Sequence, residues 1–178
     1  LDTTLGADIY VSPPLVMANR AEANVDPAIA DHIRQTVDGV ARIVTGRNVQ
    51  IAAADYTDLP PINVTAATDE VVSTGRQFVW WDTQIAPEYT PAALSGGNYL
   101  VVSEPLAFRR GITRENNTIR LVTDRGLVTF TVLGVYYDYS SDQGTSIMAD
   151  SVYRRLFDDL YITSIAVFLQ PETDISAA

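Results

Sequence analysis

The sequence contains no cysteine and no lysine, and its one histidine is His32. Without cysteine there can be no disulfide, thiolate metal site or cysteine nucleophile. Without lysine there can be no Schiff base, serine–lysine dyad or Gly-Lys-Ser/Thr phosphate loop. A Gly-x-Gly-x-x-Gly run is missing as well, so neither standard nucleotide-binding device is present. A Ser-His-Asp triad would have to use His32, which stands beside Ile33 in a predicted helix, and no Gly-x-Ser-x-Gly elbow accompanies it. We read His32 as structural. No apolar run reaches the roughly 18–20 residues that span a bilayer, and no basic segment leads into an apolar one as in a signal peptide.

Hydrophobic residues make up 47% of the 178 residues and charged residues 19%, enough for the core of one domain, in one or two lobes. The formal net charge is −10, and all 12 basic residues are arginine. Such a surface repels phosphates and anionic headgroups, so nucleic acid is not an expected partner. The chain opens on Leu1 and closes on Thr173 to Ala178, which resembles an unfinished helix start. Both ends read as cut points in a longer protein.

Residues 7–12 alternate like a strand and break at Pro13-Pro14. Asp26 and Pro27 are a suitable N-cap and first position for a helix whose apolar face is Ile29, Ile33 and Val37, with Gly39 to end it. Strands are expected over 40–44 and 48–54, turning at Thr45-Gly46-Arg47. Residues 58–69 read as loop with one short strand, 77–81 as strand and 89–94 as short helix. Next come a buried strand at 99–102 and a short helix from Ser103-Glu104-Pro105 to Gly111. Residues 118–123 and 127–137 form a hairpin around Asp124-Arg125-Gly126, in which Val128, Phe130 and Val132 alternate with Thr129 and Thr131. After a polar loop at 138–145 come a strand at Ile147, a helix capped by Asp150 or Ser151, and a last strand at 162–169. The order predicts an α+β fold: a βαββ…βαβ lobe of 1–60 plus 145–178, with 61–144 inserted as a β-rich lobe.

Candidate chemistry is sparse. Asp138 to Gly144 alternates oxygen donors but lacks the closing pattern of a calcium hand, and ordinary turn chemistry accounts for it. Arg109-Arg110 and Arg154-Arg155 read as solvated helix ends. Aromatics cluster at Trp80-Trp81 and at Tyr136-Tyr137-Asp138-Tyr139. Neighbouring strand residues face opposite sides, so at least one ring of each pair can be exposed to a partner or ligand; core packing with one half-buried ring is the competing and more common use of such aromatics in sheets. Trp80, Trp81, Tyr137 and Tyr139 are therefore the candidate contact residues; no catalytic, cofactor or metal residue is assigned.

Val101-Val102-Ser103-Glu104-Pro105-Leu106-Ala107 is similar to the strand-into-helix segment of MacB/FtsX-like ABC transporter permease domains. The hairpin that follows resembles theirs too, through Gly126, Phe130, Val132, Gly134 and Val135. So do Tyr137 to Gly144 with Tyr153-Arg154-Arg155-Leu156, and Leu5 to Val11 at the start. Where family members carry Gly-Asp before the hairpin, this chain has Glu115-Asn116-Asn117. The resemblance implies an extracytoplasmic domain between two membrane helices, with a porter-like α+β lobe and an inserted β-rich lobe. It further implies a cytoplasmic ABC ATPase partner acting through the full permease, periplasmic or lipoprotein partners, no cofactor, and a mechanical rather than enzymatic role.

Two other readings differ in what they require. A free-standing extracytoplasmic ligand-binding or sensor module would need a concave apolar pocket near Trp80, Trp81 or Tyr137. A carboxylate hydrolase using Glu104, Asp138 and Asp142 would need two carboxyl groups facing each other across a cleft.

Overall fold

The computed structural model describes residues 7–12, 24–55, 57–69, 78–171 and 173. Strand β1 (Ile9–Val11) precedes helix α1 (Ala28–Thr36), β2 (Val40–Ile51), β3 (Ile62–Ala67) and β4 (Trp80–Thr83). Helix α2 (Thr90–Ala93) runs into a 3-10 turn, Leu94–Gly96, then β5 (Tyr99–Ser103) and α3 (Glu104–Arg109). The hairpin β6 (Thr118–Thr123) and β7 (Gly126–Tyr136) follows, then β8 (Ser146–Ala149), α4 (Asp150–Leu156) and β9 (Ser164–Leu169).

The strands join in one mixed sheet, ordered β1-β9-β2-β3-β8-β5-β7-β4, with β6 also on β7. The β3–β8 and β5–β7 pairs are parallel and the others antiparallel. Past the end of β2, the Ala54 N–H donates to the Arg120 carbonyl at 2.8 Å and the Val122 N–H to the Ala52 carbonyl at 2.9 Å. The sheet thereby curls back so that β2 meets β6. A mixed sheet with short helices is the expected α+β class.

The turn expected at Thr45-Gly46-Arg47 does not form; β2 runs straight through it. Gly46 stands opposite Ala67 on one side and Ser164 on the other. A Cβ at Gly46 would lie 3.2 Å from Ser164 Oγ, so the glycine serves close strand approach. Pairing on both flanks satisfies more backbone groups than a local turn would.

Asp26 Oδ1 accepts the Ala28 N–H at 2.9 Å, as a capping residue should. The helix stops at Thr36, two residues before the expected end, and Gly39 (φ 76°) turns the chain into β2. Its buried face is Ala30 with Ile33, while Ile29 is exposed. Helix α4 is not capped by Asp150 or Ser151. Instead the distant Asp69 accepts the Ser151 N–H at 3.2 Å and its hydroxyl at 2.6 Å, and Asp150 pairs with Arg154 at 3.1 Å.

The larger core is filled by Phe130, Leu100, Val102, Leu121, Ile147, Met148 and Val152 among others. It draws on strands from 61–144 and on β8 and α4 from 145–178, and β3 is hydrogen-bonded between β2 and β8. A smaller core lies under α1, where Val25, Ala30 and Ile33 meet Ile162, Ile165 and Val167. Among the described residues no helix is long and apolar enough to cross a membrane.

Candidate functional site

Strand β4 ends the sheet, and its pairing with β7 has one extra residue. Trp80 lies opposite Tyr136 and Asp82 opposite Val135, so Trp81 is left over in a bulge. The two indoles go different ways. Trp80 is half-buried, its ring 4.7 Å from that of Phe78, which lies 5.2 Å from Tyr136. Gly134 makes room for it, since a Cβ there would come within 2.7 Å of Trp80 Cζ3. Trp81 is 55% exposed and walls an open cleft of about 320 Å³. Ile112, Val132 and Val135 form its apolar lining, and Asp82, Gln84 and Arg114 line it with polar groups.

Arg114 Nε reaches both Asp82 oxygens, at 3.1 and 2.8 Å, and its Nη2 completes the pair. Hydrogen bonding to Arg114 holds the Asp82 carboxyl below its ordinary range despite partial desolvation. Asp82 Oδ1 also accepts the Thr83 N–H at 2.9 Å. A short strand, a bulge and an amide taken by a side chain all blunt this edge against further strand pairing.

Tyr137 and Tyr139 are exposed as well, with ring centroids 6.4 Å apart. The Tyr137 N–H donates to the Val79 carbonyl at 2.9 Å, and Val79 is itself exposed. Partial desolvation and a hydrogen bond to Glu104 push the Tyr139 hydroxyl above its ordinary value. One helical turn on from Glu104 stands Phe108, which is 85% exposed. Sequence reasoning passed over Phe108. No local signal marked it: only the fold shows that Leu106 and Ala107 form the buried side of this short helix, from which a step of about 100° carries the next side chain outward.

The loop at 138–145 is closed by its own polar groups. Asp138 Oδ1 accepts the Ser140 N–H at 3.0 Å and Oδ2 the Thr145 hydroxyl at 2.9 Å. Thr145 Oγ1 also meets the Tyr136 hydroxyl at 2.8 Å, and its N–H donates to Ser103 Oγ at 2.8 Å. Asp142 accepts Arg109 Nε through its backbone carbonyl at 2.9 Å. Among the described residues no three of His, Cys, Asp or Glu gather into a possible metal cluster. His32 is exposed on α1, and its carbonyl accepts the Thr36 hydroxyl at 2.7 Å.

Two arginines depart from the reading of solvated helix ends. Arg110 is buried, and its guanidinium donates to the Asp55 and Pro60 carbonyls at 3.0 and 2.6 Å, which pins the segment after β2. Arg154 bonds the Asp159 and Tyr161 carbonyls as well as Asp150. A further polar cluster escaped the sequence entirely. Asp159 Oδ2 accepts from buried Arg47 Nε and from the Tyr153 hydroxyl, both at 2.7 Å. Thr163 Oγ1 accepts the Asn48 N–H at 3.0 Å beside them.

No family model matches the chain. It is 31% identical over 169 residues, 95% of its length, to an uncharacterised ABC transporter permease of Mycobacterium tuberculosis, of which it spans 19%. Its fold matches the extracellular domain of the noncanonical ABC-type transporter YknZ from Gram-positive bacteria. That match has a TM-score of 0.59 and 14% identity, and covers 92% of this chain and 83% of the other. The periplasmic region of MacB from Actinobacillus actinomycetemcomitans matches with a TM-score of 0.55 and 12% identity, over 86% of this chain and 68% of the other. By its sequence likeness over 95% of its length the chain belongs with the ABC transporter permeases, and its fold is that of the extracellular domain of YknZ and the periplasmic region of MacB.

Proposed function

We propose that this domain works outside the cytoplasmic membrane as the relay of an ABC permease, carrying motion driven by a cytoplasmic ATPase to a substrate or partner protein. The observation that carries the reading is the adjacency of the first and last strands. Asp8 donates its N–H to the Val167 carbonyl at 3.0 Å, and its carboxylate accepts the Leu169 N–H at 2.7 Å. Residues before β1 and after β9 thus leave from the same corner of the sheet, the geometry needed to join two neighbouring membrane helices. Displacement there enters β9, which is hydrogen-bonded to β1 and β2. The packed cores favour movement as rigid bodies. The two lobes outlined from the sequence, 1–60 with 145–178 and 61–144, share the larger core and are taken to move together. The contact face is the exposed set Trp81, Tyr137 and Tyr139, with Phe108 added, while Trp80 supports it from behind.

Hydrogen exchange on the full-length permease in lipid, with ATP and without, tests the relay. Nucleotide-dependent protection changes in β1 and β9 are expected. Identical exchange throughout the domain in both states would remove the reading.

A further inference from the structure

We propose that the Trp81 cleft is a binding site for a neutral carbohydrate, one sugar ring lying against the Trp81 indole with its hydroxyls on Gln84, Arg114 and Asp82. The inference goes beyond the relay and does not depend on it.

The bulge is the first argument. A large indole contributes most to stability when buried, yet β4 gives Trp81 an unpaired position and leaves it 55% exposed. Its neighbour Trp80 already supplies the packing against Phe78. Bulges recur where a strand must re-aim a side chain.

The second argument is the chemistry of the walls. The lining of Ile112, Val132 and Val135 is apolar, while Asp82, Arg114 and Gln84 present planar hydrogen-bonding groups in the same cleft. A purely apolar ligand would desolvate those groups without replacing their hydrogen bonds, which is costly. Arg114 and Asp82 already neutralise each other, so the walls offer no unpaired charge to an ionic ligand, and the net charge of −10 further disfavours an anion. A neutral ligand with one apolar face and a border of hydroxyls satisfies both walls. The Arg114–Asp82 pair is already in place, so its groups need little ordering on binding. A cleft of about 320 Å³ stands at the small end of ligand sites, which suits one or two rings better than a long chain.

The test follows the two indole N–H resonances of the 15N-labelled chain and, for the Trp81 variants, the backbone amides of Gln84, Thr113 and Arg114, which line the cleft. Methyl glycosides of glucose, galactose, mannose and N-acetylglucosamine, with cellotriose and chitotriose, are added to about 50 mM, a range that reveals weak single-site binding. At least one sugar is expected to shift the Trp81 resonance saturably. Trp81→Ala should abolish binding, Trp81→Phe should retain it within about tenfold, and Gln84→Ala should weaken it roughly threefold to tenfold. Both positions are exposed, and an unchanged Trp80 resonance verifies the fold of each variant. The proposal is overturned if no sugar moves the Trp81 signal or if Trp81→Ala binds undiminished. It is equally overturned if a blocked Lys-Leu-Lys peptide gives the same saturable shift, which would assign the cleft to protein partners.

Discussion

Arg47 Nε and Asp159 Oδ2 lie 2.7 Å apart across 112 positions of sequence, and the arginine side chain is only 8% exposed. The pair ties β2 to the segment between α4 and β9, close to where the smaller core gives way to the larger. Breaking it by Arg47→Met leaves Asp159 without its cation. The expected loss is about 3 kcal/mol, at the low end for a buried pair because Asp159 keeps some contact with water. The double change Arg47→Met with Asp159→Leu should recover only part of that loss: no unpaired charge remains, but the Tyr153 hydroxyl and the Tyr161 N–H lose their acceptor. Urea unfolding of the two variants and the parent measures both.

The same cluster sets two pH limbs. Burial alone would raise the Asp159 carboxyl, but hydrogen bonds from Tyr153, Tyr161 and Arg47 outweigh it and hold the group below its unfolded value near 3.8. A depressed carboxyl contributes stability above that value and loses it as pH falls further. Tyr153 behaves oppositely: burial first, then its bond to Asp159, push its hydroxyl up to about 12 from 10.0. Its contribution is complete below pH 10 and is lost as pH climbs towards 12. Two units correspond to roughly 2–3 kcal/mol. Thermal melts of Tyr153→Phe should be flatter than the parent's over the alkaline range; equal slopes would contradict the assignment.

Gly144 is expected to tolerate no side chain. Its φ is 76°, and a Cβ would lie 2.5 Å from the Leu106 backbone nitrogen and 2.8 Å from its Cα. Backbone cannot swing aside as a side-chain tip can. Gly144→Ala should therefore cost roughly 3 kcal/mol, from left-handed strain together with overpacking. A denaturation midpoint unchanged from the parent would show that the 138–145 loop simply moves.

Removing the remote cap of α4 by Asp69→Ala should cost about 1 kcal/mol, the usual loss when a helix-end amide forfeits its acceptor. Faster amide exchange at Ser151 is the local signature to look for.

Phe108→Ala and Tyr139→Ala separate stability from contact. Both side chains are largely exposed, so unfolding should shift by no more than about 0.5 kcal/mol. If the aromatic face meets a partner, each variant should lower transport by the full-length permease, because exposed aromatics commonly carry the binding energy of such contacts. Full transport with both changes combined would dissociate this face from function.

Residue order alone determined the elements whose signals are local. The β6–β7 hairpin has a turn at Asp124-Arg125-Gly126 and strict alternation through Phe130, and it folds in the register those features demand. Asp26 caps α1 and Glu104-Pro105 opens α3 for the same reason: the relevant groups lie within a few residues of one another. Permease membership was legible too, from the order of weak segments along the whole chain. Tertiary structure decided what depends on neighbours distant in sequence. Strand pairing on both sides of Gly46 overrode a good turn signal, and Asp69 capped a helix 82 residues away. Likewise, the bulge that sends Trp80 inward and Trp81 outward exists only because β7 pairs with β4 one residue short. Two adjacent tryptophans are chemically identical in the sequence; only the register against β7 distinguishes the one that packs from the one that faces water.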